Sequence, residues 1–188
     1  MSSKAAILAG IRENKPGPRP LPTLPPDPED ASGLEEAFRT ILMASKTTFV
    51  EAADLPGYVR AFGQDPVVVS RIDGLPGNLD LASITDPLQL AGVDLTILPA
   101  QLGVAENGAM WVSETEMIFR VLPFITQHLI LVLERGKLVA TMHQAYRRIE
   151  IGATGFGVFI AGPSKTADIE QSLVIGAHGP RSLAVVLR

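Results

Sequence analysis

Apolar residues in this chain come in short runs broken by glycine, proline and charge, as at residues 66–69, 129–133 and 157–161. Runs of that length, rich in Val, Ile and Leu, suit strands buried on both faces. They fall well short of the ~18 consecutive apolar residues that cross a bilayer. Between them lie stretches with helical spacing. Ser32 with Glu35 predicts a capping box, and Leu34, Phe38, Ile41 and Leu42 follow on one stripe. Residues 54–62 predict a short helix with Pro56 in its first turn, where a missing N–H costs nothing. Residues 137–149 predict an amphipathic helix, with Leu138, Met142, Ala145 and Ile149 on one side. Strands are expected at 66–72, 95–98, 103–105, 109–113, 129–134, 157–161 and 183–187, with 47–51 also β-prone. Strands alternating with helices predict an α/β layered fold with a mainly parallel sheet.

Residues 1–30 stand apart as an N-terminal helix and proline-rich arm, ahead of an α/β domain at 31–188. Seven of the fifteen prolines fall between 16 and 28, in PGPRPLPTLPPDP. Proline fixes φ and lacks an N–H, so this arm cannot join a sheet or helix. It is expected as a strap on its own domain, or else as a docking peptide for an aromatic groove. The apolar stretch at 5–11 is followed at once by Arg12, Glu13 and Lys15 without a small-residue cleavage site, which predicts a short helix and a cytoplasmic chain.

The 188 residues contain no cysteine, which excludes disulfides, thiol nucleophiles and a cysteine-ligated iron–sulfur cluster on this chain. The net charge of −4 lacks the cationic surplus of a general nucleic-acid binder. The histidines His128, His143 and His178 have no i, i+4 pairing, so no metal site is expected. Met110, Trp111 and Phe119 are expected in the core.

Two segments carry candidate chemistry. In 103–108 (GVAENG), Glu106 stands where an apolar strand meets a glycine turn at Gly108. A carboxylate there either points into the ligand crevice of an α/β fold, where burial would tune it, or is a solvated residue of an Asn-Gly turn. In 161–170 (AGPSKTADIE), Gly162 lets the backbone pass closely. Ser164 or Thr166 would cap a following helix whose amides, with Lys165, would bind an anion. Asp168 is either part of that site or bonded to loop amides. Beyond it, His178 lies between glycines with Arg181 close by, as an acid–base group or anion ligand, or as a turn residue satisfying a carbonyl.

The stretch 157–170 with 173–181 (LVIGAHGPR) and a closing apolar strand resembles the C-terminal signature of the lactate utilization protein C family (LutC/YkgG, the LUD domain). GVAENG is similar to that family's Ile-Ala-Glu-Thr-Gly segment, with Asn107 in place of Thr. The resemblance implies a three-layer α/β/α sandwich of the NagB/RpiA/CoA-transferase-like group. It also implies an accessory role in oxidising L-lactate to pyruvate, with iron–sulfur clusters on partner proteins and no cofactor on this chain. Glu106 and His178 would then be the proton-handling or catalytic candidates. Gly108, Gly162, Ser164, Lys165, Thr166, Asp168 and Arg181 would bind a small anionic ligand. Residues 105–108 also resemble the Ser-Glu-Asn-Gly of class I CoA transferases. That implies a stand-alone enzyme on an acyl-CoA or phosphosugar with Glu106 as nucleophile. A scaffold with a vestigial site is the third reading.

Overall fold

A computed structural model describes residues 3–24, 26, 32–75, 77–150, 155–167 and 173–188. At its centre is a five-stranded parallel sheet in the order β1 (Thr48–Phe49), β11 (Ser182–Leu187), β6 (His128–Leu133), β3 (Leu95–Ala100), β2 (Val68–Ser70). Every pairing in it is parallel, and β6 lies in register between β3 and β11, with Leu131 opposite Leu98 and Val185. The short apolar runs therefore form strands as their composition dictates, buried on both faces.

Side-chain alternation along the strands builds two cores. Leu129, Leu131, Leu133, Leu183, Val185 and Leu187 enter one, together with Phe38 and Leu42 of α2 (Leu34–Ala44). Ile130, Val132, Ala184 and Val186 enter the other, beneath Leu55, Tyr58 and Val59 of α3 (Leu55–Arg60).

The layer over the first core is not built from helices alone. Alongside α2 it contains a mixed sheet, ordered β7 (Leu138–Val139), β4 (Leu102–Val104), β5 (Met110–Ser113), β8 (Gly157–Ile160). Met110 and Val112 face the first core, while Trp111 packs with Phe159 and α6 (Met142–Arg148) on the outer face. The expectation that Met110 and Trp111 are core residues holds, and Phe119 packs partly buried against the first core. Two short helices, α4 (Glu114–Met117) and α5 (Leu122–Ile125), lead from β5 back to β6. The hairpin β9 (Lys165–Ala167) with β10 (Leu173–Ile175) stands between β8 and β11.

Four local expectations change. Gly33, in the left-handed conformation, is the N-cap of α2 with no side-chain cap bond; Glu35 instead accepts from Arg39 Nε at 2.9 Å and from Arg135 Nη1. Asp54 precedes α3 without a cap bond of its own. Residues 137–149 are not one helix: Leu138 and Val139 pair with β4, and Thr141 accepts from the Gln144 amide to start α6. The arm is no strap. Helix α1 (Ser3–Glu13) buries nothing, and all of residues 14–24 are exposed, Leu21 to 92%. No described helix is long and apolar enough to cross a membrane.

Candidate functional site

The candidate site lies at the amino-terminal edge of the parallel sheet. There β6 and β11 begin side by side, with His128 opposite Ser182. The loop 176–180 ahead of β11 is stapled to the base of the β9–β10 hairpin. The Ser164 amide donates to Pro180 O at 2.9 Å, and the Gly176 amide donates to Ser164 O at 3.0 Å. Gly179 lies so close to Ser164 that a Cβ on it would stand 3.1 Å from the serine Cβ. These contacts hold Ser164, Lys165 and His178 around one cavity of about 280 Å³ whose apolar floor includes Leu129, Ile160 and Leu183. Gly162 also lines it.

The Glu106 turn shares this edge without joining the cavity. Gly103 in β4 packs on Leu133 at the far end of β6, so β4 runs opposite to β6 and delivers Glu106 to the amino-terminal edge. The carboxyl end of α2 lies against both glycine bends. A Cβ on Gly108 (φ +72°) would stand 2.9 Å from Leu42 Cγ, and one on Gly162 (φ +101°) 2.8 Å from Ser45 Oγ. Both positions therefore need glycine for space and for backbone conformation. The turn joins β4 to β5, and Met110 of β5 pairs with Ile160 of the cavity wall, so the turn lies one to two strand spacings, about 5–10 Å, from that wall. Glu106 is exposed, its amide bonded to Ala140 O at 3.0 Å. Of its two expected placements it takes that of a solvated turn residue. The turn is fixed by Asn107, whose Oδ1 accepts from the Ala109 amide at 3.0 Å.

The helix expected after Ser164 is replaced by strand β9. Lys165 pairs with Ile175 across the hairpin, and Thr166 Oγ1 donates to Val174 O at 3.3 Å. Ser, Lys and Thr satisfy a hairpin as readily as a helix cap, and the apolar partner strand at 173–175 decides between them. No helix terminus therefore presents its amides at this segment, and Lys165 is the cationic residue that lines the cavity. Asp168 lies outside the described residues. Arg181 does not line the cavity; its amide donates to Gln127 O at 2.8 Å, and its charge acts on His128. The His128 imidazole is held below its ordinary pKa first by burial and then by Arg181, against the opposing pull of Asp94. Its Nδ1 meets Ser182 Oγ at 2.8 Å and its ring lies 4.6 Å from Phe62, contacts that tie the start of β6 to β11 and to the turn after α3.

Sequence reasoning missed the apolar wall contributed by Pro123 and Phe124. A proline in the first turn of α5, followed by an aromatic left 40% exposed, is the signal that could have found it. The resulting chemistry is an ammonium, a hydroxyl and an imidazole over an apolar floor. It suits an anion on a short carbon skeleton.

A parallel sheet backed by a mixed sheet, with flanking helices, places this chain among α/β domains. Residues 86–187 match the LUD domain, and the chain belongs to the LUD domain family. It is similar to Lactate utilization protein C of Shouchella clausii, 34% identical over 109 residues, 55% of this chain and 46% of the relative. Lactate utilization protein C of Bacillus pumilus is 39% identical over 83 residues, 41% of this chain and 35% of the relative. The chain thus spans less than half the length of these curated relatives. In fold it is similar to a DUF162 family protein from Deinococcus radiodurans, with a TM-score of 0.60 and 18% identity, covering 85% of this chain and 99% of that one.

Proposed function

We propose that this protein serves L-lactate utilization as an accessory subunit that holds a small 2-hydroxy or 2-oxo carboxylate in the Ser164–Lys165–His178 cavity. The observation that supports this reading is that Ser164, Lys165 and His178 line one cavity with Leu129, Ile160 and Leu183. The names of its relatives support the metabolic setting. Lys165 and Ser164 hold the carboxylate, and the floor receives the methyl group. Oxidising lactate to pyruvate removes two electrons and two protons. His178 accepts the hydroxyl proton, the Cα hydrogen leaves as a proton to solvent, and the two electrons of the broken Cα–H bond pass to iron–sulfur partner proteins, since this chain has no cysteine to hold a cluster.

Calorimetric titration with L-lactate and with pyruvate tests the cavity. Binding is expected for the native chain, weakened about tenfold or more by Lys165→Ala, as befits loss of a charge-assisted contact. Native binding that Lys165→Ala and His178→Ala both leave intact would remove the ligand from this cavity. Affinity purification from lactate-grown source cells tests the partners, and stoichiometric iron–sulfur proteins are expected. An acyl group trapped on Glu106 after incubation with an acyl-CoA would move the assignment to the stand-alone transferase reading.

A further inference from the structure

The proline-rich arm and a groove beside β1 are complementary in shape and chemistry, and the site above uses neither. In the sequence, Arg19, Pro22 and Pro25 recur every three residues, as do Leu21 and Leu24. A polyproline II helix has three residues per turn, so each set falls on one face. Leu21 is 92% and Leu24 50% exposed, and Arg19 has no ion-pair partner among the described residues. Residues 3–24 carry Lys4, Arg12, Lys15 and Arg19 against Glu13 alone, while the whole chain stands at −4, so the acidic surplus lies elsewhere.

The groove, about 610 Å³, runs between β1 and α3 and is lined by Phe49, Pro56 and Tyr58 with the carboxylates Glu51 and Asp54. Asp54 makes no cap bond, and Glu51 has Arg39 Nη2 at 4.0 Å and the charge of Arg135 nearby. Arg60 also lines the groove, its Nη2 folded back over Gly57, where a Cβ would stand 3.8 Å from it. Two carboxylates against one guanidinium in the lining leave the groove net acidic toward a docked cation. Aromatic grooves take polyproline II segments readily because that helix loses little freedom on docking.

We propose that residues 19–24 of one chain dock in the β1–α3 groove of a second copy, with Arg19 at Asp54, so that two chains exchange arms as a dimer. The arm stands off its own body along its described length, and exchange makes two linked contacts, which raises a weak docking to a stable one.

Sedimentation equilibrium of the full chain is expected to show a dimer. Arg19→Glu and Asp54→Lys should each weaken it about tenfold or more, as loss of an anchoring charge does, and the two together should restore it. Deleting residues 1–13 should leave the dimer and deleting 1–26 abolish it, with circular dichroism confirming that each variant folds. The absence of native cysteine allows a direct check. Oxidising a mixture of Arg19→Cys chains with Asp54→Cys chains should yield a covalent dimer. A monomer at every concentration, or a dimer indifferent to both charge changes, overturns the proposal. So does a double-cysteine chain that closes only on itself.

Discussion

Half-buried His128 and fully buried Thr96 are polar side chains with opposite consequences. His128 is kept neutral by burial, so the folded state binds its proton less readily than the unfolded state. Its contribution to stability is complete above the ordinary value of 6.5 and is lost as pH falls below it. Glu35 and Glu114, held low by arginine partners, lose theirs only below 4.5. Denaturant titrations across this range are expected to show a falling limb beginning near pH 6.5 that His128→Gln removes. Thr96, fully buried, has a hydroxyl with no hydrogen-bond partner. Thr96→Val keeps the shape and removes the desolvated group, so it should stabilise the protein by about 1 kcal/mol in urea unfolding. At this scale the sequence marked Ser164, Lys165 and His178 by their chemistry. That Glu106 and Arg181 do not line the same cavity was not legible, because which wall a side chain reaches depends on strand direction, which composition does not encode.

Strand β6 is central to the parallel sheet, and Leu131 at its midpoint is fully buried. Leu131→Ala should cost about 2–5 kcal/mol, the range for emptying a rigid leucine site, measured by thermal or urea unfolding. The helix α2 spans both edges of the sheet. Its Glu35 meets Arg135 beyond the end of β6, and its Ser45 touches Gly162 at the cavity edge. Gly162→Ala should therefore lower both stability and carboxylate affinity, read by unfolding and titration on the same sample. Strands such as β6 and β11 were legible because an apolar run has few other uses. The β9–β10 hairpin was not, since its polar residues fit a helix cap equally well. Nor was β7, since Leu138 and Val139 sit in a helical spacing that pairing with β4 overrides.

Across the whole molecule, the alternation of strands and helices was enough to read a mainly parallel α/β fold. The mixed sheet over the first core was not readable, because β4, β5 and β8 are as apolar as the parallel strands and differ only in direction. Removing residues 1–26 should leave the unfolding midpoint of the body unchanged under conditions where both forms are monomeric, since α1 buries nothing and residues 14–24 are exposed. The strand order has a further consequence for how the chain is made. Strand β1 has β11 as its neighbour in the sheet, and β11 is the last of the described strands to be synthesised. Thr48 and Phe49 must wait for Ala184 and Val185, so a nascent chain short of residue 182 holds β1 unpaired and one edge of β6 open. Such an edge invites pairing with other chains, and long-range parallel closure is slow. The central sheet is therefore completed only when β11 takes its place between β1 and β6, joining residues 48–49 to a segment made more than 130 residues later.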